Sequence, residues 1–191
     1  GQPLARVLGA TTKAVPAYNS CGLGLMGPDA AAREALQLLE GGFKAVKLRL
    51  GHPTLAGDLA TVRAVREALP DDVQLMVDDN QALTTVEALA RGRAIQDEGI
   101  AWLEEPIRHD DYAGNARLAR ELEVPVQMGE NFNGPTAMAK ALDEVACDLV
   151  MPDFMRIGGV TGWLRAAAIA GVAGVPMSTH LYPGEAAHVM R

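Results

Sequence analysis

Short apolar runs alternate along the chain with longer segments whose apolar residues recur at helical spacing. Seven short runs, bounded by Gly, Pro, Asn or Asp, predict strands at residues 15–20, 45–50, 74–78, 101–104, 126–129, 148–151 and 176–179. The intervening segments predict helices at residues 28–40, 54–68, 84–98, 112–122, 135–142 and 160–173. A further helix is expected before the sequence ends at Arg191.

This alternation predicts an α/β protein whose parallel strands are joined by right-handed crossovers. A closed barrel and an open doubly wound sheet both fit the order of elements. Polar residues suited to chemistry follow almost every predicted strand. That favours the barrel, because its active-site mouth is a ring of strand ends, whereas an open sheet binds at one switch point. The chain has 191 residues. Eight units usually need roughly 250, so the barrel is expected to be incomplete.

Three carboxylates stand at the ends of successive predicted strands: Asp78, Glu104 and Glu130. Exactly the same gap, 26 residues, separates the first from the second and the second from the third. Neighbouring parallel strands end on one face of a barrel, so the three side chains are expected to converge. Uncompensated carboxylates in one cavity repel each other unless a hard divalent cation lies between them. The sequence therefore predicts a metal site, with Mg²⁺ as the ion.

Polar residues beside these acids have a structural and a functional interpretation. Lys47 and Arg49 share one face of a strand; they are either solvated surface cations or partners of the metal carboxylates and an anionic substrate. The run of residues 78–80 is typical of an Asx turn, although the Asn80 amide could also hold a substrate oxygen. Glu104 and Glu105 are adjacent and point to opposite sides, so only one binds the metal directly and Glu105 is expected behind it.

Asp153 and His180 follow the next two predicted strands and are expected within hydrogen-bond reach of each other. A carboxylate on one imidazole nitrogen orients the ring and raises its basicity. The alternative is a structural histidine satisfied by a loop acid. With a magnesium ion to stabilise the enediolate, the pair predicts removal of a proton α to a carboxylate, the chemistry of a histidine base with magnesium.

The composition is that of an ordinary globular protein. Hydrophobic residues are 49% and charged residues 21%, as in ordinary globular proteins. The net charge of −7 argues against nucleic acid or an anionic membrane as the main partner, and no unbroken apolar run reaches the roughly 18 residues of a membrane span. Cys21 and Cys147 lie in no metal-binding spacing, which favours free thiols in a cytoplasmic protein over a disulfide.

The motifs together resemble the mandelate racemase subgroup of the enolase superfamily, over residues 15–187. The matching strings are Ala-Val-Lys-Leu-Arg, Met-Val-Asp-Asp-Asn-Gln, Glu-Glu-Pro, Pro-Val-Gln-Met-Gly-Glu-Asn, Met-Pro-Asp, Ile-Gly-Gly-Val-Thr-Gly-Trp and Ser-Thr-His-Leu. They occur in the family's order and with its spacing.

The resemblance implies a TIM-like modified (β/α)₇β barrel over residues 1–191, with Mg²⁺ held by Asp78, Glu104 and Glu130 and with an Asp153–His180 catalytic dyad. Lys47 matches the first lysine of the family's Lys-x-Lys pair, which helps to bind the substrate carboxylate. Ser20 matches a residue that touches the same carboxylate, and Asn80 matches a polar residue beside the substrate. The resemblance also implies a small-molecule carboxylate substrate and a homo-oligomer.

Two departures from the family pattern modify this expectation. Arg49 stands where the family has its second lysine, a base, and arginine stays protonated in proteins, so two-base racemisation is in doubt. The family's capping domain and last strand have no counterpart in the sequence, and we expect these 191 residues to be an excerpt of a longer enzyme.

The expected activity is that of a Mg²⁺-dependent lyase or isomerase acting on a 2-hydroxy acid or acid sugar, as a dehydratase or a racemase/epimerase. Because only one base is expected, dehydration is favoured over racemisation, and Arg49 is expected to act as an electrostatic clamp. The alternatives are a muconate-type cycloisomerase, or a non-catalytic barrel that binds metal or an acid sugar.

Overall fold

The structure of the protein, a computed structural model, describes residues 1–11 and 13–191. In chain order its elements are α1 (Leu4–Val7), α2 (Pro28–Gln37), β1 (Ala45–Arg49), α3 (Leu55–Ala68), β2 (Gln74–Asp78), α4 (Thr85–Ile95), β3 (Ile100–Glu104), α5 (Tyr112–Glu121), β4 (Val126–Met128), α6 (Gly134–Asp143), β5 (Leu149–Val150), α7 (Gly159–Ala173) and α8 (Pro183–Val189). The predicted α/β class with parallel strands is confirmed.

The chain forms two compact units. The central unit comprises Ala17–Val126, and the terminal unit combines Gly1–Pro16 with Gln127–Arg191. The boundary between the units falls inside β4.

The central unit contains β1, β2 and β3, which pair in parallel. Their residues are buried on both faces for most of their length, as in a parallel sheet covered by helices. The register places Arg49 beside Asp78 and Asp78 beside Glu104. Three of the predicted site residues therefore end neighbouring strands at the same level.

The helices of the central unit begin where the sequence supplies caps. Thr54 accepts a hydrogen bond from the Gly57 amide at the start of α3. Thr84 and Glu87 form a reciprocal capping box at the start of α4, which satisfies two amides that have no partner within the helix. Apolar residues of α2–α5 then pack on the sheet, and the core of this unit includes Leu48, Val62, Leu75, Leu89 and Leu118.

The terminal unit contains the parallel pair β4 and β5, with Gln127 beside Leu149 and Met128 beside Val150. Its buried side chains come from these strands, from the helices that follow them and from the segments in between, and they include Met128, Phe132, Met138, Met151 and Trp163. The helix expected after the last predicted strand is present as α8.

The strands predicted at residues 15–20 and 176–179 are wrong as regular strands. Each forms isolated bridges: Asn19 with Val46 in the central unit, and Met177 with Val150 in the terminal unit. Pro16 and Pro176 supply a physical reason, because a proline has no amide hydrogen to donate to a ladder. Both segments still run parallel to a neighbouring strand.

Gly129, directly before Glu130, lies at a position where the backbone requires a glycine. Its φ is +142°, and a Cβ at this position would lie 2.8 Å from the main-chain nitrogen of Met151. The glycine therefore allows the neighbouring chain after β5 to approach the end of β4.

Cys21 is exposed and Cys147 is buried, and both are free thiols, in agreement with the prediction. Among the described residues, the helices all fall short of the length and apolar character that a membrane crossing requires.

Candidate active site

Five predicted site residues meet in the central unit and are called here the Lys47 cluster: Lys47, Arg49, Asp78, Asn80 and Glu104. Lys47 and Arg49 lie two residues apart on β1, so they project from the same side of the strand. Asp78 and Glu104 are paired in the register of β2 and β3, which brings both carboxylates to these cations.

Lys47 is the buried centre of this cluster. Its side chain is 2% exposed and the side chains of Asp78 and Glu104 are 0% exposed. Lys47 Nζ lies 2.9 Å from Asp78 Oδ2 and also contacts Glu104 Oε1. Burial works to lower the pKa of Lys47, but the charges of Glu104 and Asp78 outweigh burial and raise it. The interpretation of Lys47 as a solvated surface cation is therefore wrong.

For Glu104, burial has a larger effect on the pKa than the neighbouring opposite charge, the reverse of Lys47. Burial raises the pKa of Glu104 to about 8, against the lowering effect of the Lys47 charge. A carboxylate in such surroundings needs more positive charge than one lysine provides.

Arg49 and Asn80 enclose the other side of Asp78. The Arg49 guanidinium contacts Asp78 Oδ2 and donates to Asn80 Oδ1 at 3.1 Å. The Asn80 amide NH₂ and main-chain N–H both donate to Asp78 Oδ1, the latter at 2.8 Å. Asp78 thus forms the Asx turn that the sequence suggests, with the main-chain N–H of Asn80, and the Asn80 side chain also accepts from Arg49.

Trp102 and Tyr18 belong to the same site, although the sequence analysis did not identify them. Trp102 Nε1 donates to Glu104 Oε2 at 3.3 Å, and the Tyr18 ring meets the Trp102 ring edge-on with centroids 5.8 Å apart. Burial raises the pKa of Tyr18 to about 12, so its phenol is neutral. Trp102 precedes Glu104 by two residues on a strand, and this spacing alone places both side chains on one face.

Positive φ angles at non-glycine residues mark the strand ends of the Lys47 cluster. They occur at Asn80 (45°) and Gln81 (62°) after β2 and at Glu105 (34°) after β3. The Gln81 amide donates to the Glu105 carbonyl at 2.6 Å, which joins the two turns. Such strain persists where the surrounding structure enforces it, typically at functional sites.

Asp79 is a buried acid that sequence reasoning passed over as part of the turn. It is 2% exposed, and its Oδ1 has no hydrogen-bond partner within the described part of the chain. Burial, followed by the charges of Asp58 and Asp78, raises the pKa of Asp79 to about 8. Its carboxyl group is therefore held mainly in the protonated form at neutral pH.

The terminal unit brings together a second group, called here the His180 cluster: Glu130, Asp153 and His180. His180 Nδ1 lies 3.0 Å from Asp153 Oδ2, and His180 Nε2 lies 3.0 Å from Glu130 Oε2. The main-chain amides of Met155 and Arg156 donate to Asp153 Oδ1 at 2.9 and 3.0 Å. Asp153 is thus fixed by its own loop and presents its other oxygen to the histidine.

Ser20 and Glu105 are the two remaining predicted site residues. Ser20 is exposed and follows the bridge residue Asn19. Glu105 is buried beside Glu104. The roles assigned to them from the sequence stay predictions.

Both clusters contain carboxylate side chains, and carboxylate oxygens are the ligands that Mg²⁺ prefers. In the Lys47 cluster, two fully buried carboxylates share one lysine, and Glu104 is held above its ordinary pKa. In the His180 cluster, Glu130 faces an imidazole. These donor sets fit a hard divalent cation.

A family model described as enolase C-terminal domain-like matches residues 30–190. Among curated proteins, the L-talarate/galactarate dehydratase of Salmonella typhimurium is 35% identical over 181 residues, which are 94% of this chain and 46% of that protein. Other curated relatives are named as cycloisomerases and epimerases. The chain spans about half the length of the curated relatives it matches.

Two solved structures show the same similarity. An enolase from an alphaproteobacterium, bal199, with bound Mg is 53% identical, has a TM-score of 0.96, and matches 98% of this chain and 53% of its own. An enolase from Bradyrhizobium complexed with magnesium and mandelic acid is 38% identical, has a TM-score of 0.92, and matches 99% of this chain and 52% of its own.

Proposed function

This chain belongs to the enolase C-terminal domain-like family, within the mandelate racemase and muconate lactonizing branch of the enolase superfamily, and from that premise we propose that it removes the proton α to a carboxylate of an acid sugar or other 2-hydroxy acid. The observation that carries the proposal is the contact of His180 Nδ1 with Asp153 Oδ2 at 3.0 Å.

The proposed metal ligands are Asp78, Glu104 and Glu130. Bound Mg²⁺ would supply the positive charge that stabilises the second negative charge developing on the substrate carboxylate. Support comes from the strand-end positions of the three acids, from the buried carboxylates of the Lys47 cluster, and from relatives crystallised with Mg.

The proposed base is His180. An ionised carboxylate only accepts hydrogen bonds, so Nδ1 carries the hydrogen that Asp153 binds, and Nε2 is the nitrogen whose lone pair is available in the neutral imidazole. Nε2 is therefore the nitrogen that takes the proton from the α-carbon. Glu130 Oε2 lies 3.0 Å from this nitrogen, a contact that requires a hydrogen on Nε2, so Nε2 would become free to act as the base when Glu130 binds the metal ion instead.

Lys47 and Arg49 are proposed to hold the substrate carboxylate and the charge that develops on it. Lys47 is charged in its buried position because two carboxylates raise its pKa. Arg49 has 31% of its side chain exposed, which leaves part of the guanidinium accessible to an anionic ligand. Ser20 and Asn80 are the further substrate contacts, and Glu105 supports Glu104 from behind.

The finer proposal is dehydration by one base. Arginine stays protonated, so Arg49 does not remove a proton from the opposite face of the substrate, as racemisation by two bases would require. His180 removes the α-proton, the electron pair of the broken C–H bond forms the enediolate, and the β-hydroxyl leaves as water with the proton from His180. The enol product then becomes a 2-keto acid. A curated relative that is 35% identical is named as a dehydratase.

The test combines metal binding with proton exchange. Mg²⁺ is titrated into the protein by calorimetry, and a panel of acid sugars is then incubated with the protein in D₂O and followed by NMR. The proposal predicts Mg²⁺ binding, and Mg²⁺-dependent deuterium incorporation at C2 or loss of the C2 proton in a 2-keto product. Binding of Mg²⁺ without reaction of any acid sugar would favour the alternative of a non-catalytic metal-binding barrel. A homo-oligomer and a cytoplasmic location stay predictions.

A further inference from the structure

Arg156, in the terminal unit, contacts both the loop that carries Asp153 and the loop that carries Glu130. It follows Asp153 by three residues, and its main-chain N–H donates to Asp153 Oδ1 at 3.0 Å. Through its backbone it therefore helps to fix the carboxylate that orients His180.

The side chain of the same arginine reaches the loop that carries Glu130. Arg156 Nη1 donates to the main-chain carbonyl of Glu130 at 3.0 Å and contacts Asn131 Oδ1. The Arg156 carbonyl in turn accepts a hydrogen bond from the Gly134 amide at 3.0 Å. Arg156 thus contacts two residues of the loop between β4 and α6, Glu130 and Asn131, and the first residue of α6, Gly134.

The two carboxylates that Arg156 connects lie on the two sides of one imidazole ring. Asp153 and Glu130 each approach a different ring nitrogen of His180 at 3.0 Å. The imidazole ring has a fixed width, so it can contact both carboxylates only when they lie at the right distance from each other. That separation depends on how the Glu130 loop is held against the Asp153 loop.

We propose that Arg156 is a positioning residue that holds the Glu130 loop and the Asp153 loop in register, so that the metal ligand and the base keep their relative places. This inference rests on the proposed function for its catalytic meaning. The simpler interpretation is that Arg156 is an exposed arginine whose hydrogen bonds do not fix the position of either loop. Against it, one guanidinium nitrogen, Nη1, contacts both the main-chain carbonyl of Glu130 and the side-chain amide oxygen of Asn131, so the side chain is tied to two consecutive residues of one loop.

The substitution Arg156→Met separates the two kinds of contact. Methionine keeps the main-chain bonds to Asp153 and Gly134 and loses the guanidinium contacts with Glu130 and Asn131. Arg156→Lys retains one charged donor. Arg165→Met is the matched control, because Arg165 is an exposed arginine on α7.

Two measurements test the proposal on the same proteins. Hydrogen exchange of the peptide covering residues 129–134, recorded without Mg²⁺, should be at least about tenfold faster in Arg156→Met than in wild type. Calorimetry should show Mg²⁺ affinity lowered by roughly 10–100-fold, the range for loss of a group that supports a metal ligand. Arg156→Lys should fall between wild type and Arg156→Met, and Arg165→Met should match wild type in both.

The outcomes separate this inference from the proposed function. Wild-type exchange and wild-type Mg²⁺ affinity in folded Arg156→Met would overturn it. Equal losses in Arg156→Met and Arg165→Met would also overturn it, since they would reflect a general loss of charge. If wild type itself binds no Mg²⁺, the proposed function fails, and the exchange measurement alone decides on Arg156. If Arg156→Met does not fold, Arg156→Lys decides, and wild-type behaviour of that variant overturns the proposal.

Discussion

The side chains of Asp153 and His180 meet at 3.0 Å, Oδ2 to Nδ1, and the same two residues form a parallel bridge through their main chains. The His180 amide also donates to the Pro152 carbonyl at 3.2 Å. Backbone and side chain therefore fix the imidazole together, which leaves Nε2 in a defined position. A merely local contact between two loops would fix the ring less well.

This arrangement predicts different effects of substitutions at the two candidate bases. His180→Asn should abolish deuterium incorporation at the α-carbon of a reactive acid, because asparagine cannot accept the proton. Arg49→Met should retain measurable exchange while weakening substrate binding, because the arginine contributes charge and not proton transfer. NMR in D₂O with saturating Mg²⁺ measures both. Loss of exchange in Arg49→Met together with full exchange in His180→Asn would contradict the one-base mechanism.

Lys47→Met is expected to destabilise the protein strongly. It removes the cation between two carboxylates whose side chains are 0% exposed. Breaking a buried ion pair costs about 3–5 kcal/mol, because the remaining charge is left buried without its partner. Urea unfolding without Mg²⁺ measures the loss. The control is Lys44→Met, which removes an ion pair with Asp72 on the surface and should change stability little.

Trp102→Phe should weaken Mg²⁺ binding while leaving the fold intact. Phenylalanine keeps an aromatic ring against Tyr18 but lacks the N–H that donates to Glu104 Oε2 at 3.3 Å. Losing a donor that orients a metal ligand typically lowers affinity by roughly 10–100-fold. Calorimetric Mg²⁺ titration gives the affinity, and the melting temperature without Mg²⁺ reports on the fold. An unchanged affinity would show that the indole only packs.

Because of Asp79, we expect the free energy of unfolding to fall as pH rises. Its pKa is raised from 3.8 to about 8 by burial and then by the charges of Asp58 and Asp78. The folded protein therefore binds a proton that the unfolded chain has already released. The resulting stability is fully present below pH 4 and is lost as pH rises through about 8, with a slope of at most about 1.4 kcal/mol per pH unit.

Asp79→Asn removes this dependence, because the amide is neutral at every pH and has nearly the same shape. We expect the variant to gain stability relative to wild type between pH 5 and 9 and to match it most closely at the acid end. Urea unfolding without Mg²⁺ at several pH values measures the difference. Parallel pH profiles of the two proteins would exclude Asp79 as the source.

The two cysteines should differ in reactivity toward thiol reagents. Burial raises the pKa of the Cys147 thiol to about 12, so the reactive thiolate is scarce and also shielded from solvent. Cys21 is exposed. Labelling with a thiol reagent at pH 8 should modify one thiol rapidly and the second only after denaturant is added. Cys21→Ser should abolish the fast phase, and rapid labelling of two thiols in wild type would contradict this assignment.

Several features of the site could be read from spacing alone. Lys47 and Arg49 share a face because strand residues alternate, and Thr84 with Glu87 indicates a helix start because these residues cap each other. The same alternation places Trp102 on the face of Glu104, so the spacing also predicts the indole as part of the site.

Other features depended on segments that are distant in sequence. Asp79 looks like an ordinary turn residue, and only packing shows that it is buried. Arg156 carries no motif signal that links it to Glu130, 26 residues earlier.

The parallel α/β class, the acids at the strand ends and the histidine with its aspartate could all be read from the chain, because periodicity and strand direction are local properties. The tertiary structure alone decided which of these groups lose water and which partners they meet. Lys47 is a buried ion-pair partner and Asp79 is mainly protonated for that reason, since burial and the charges that packing brings close set the charge state of a side chain.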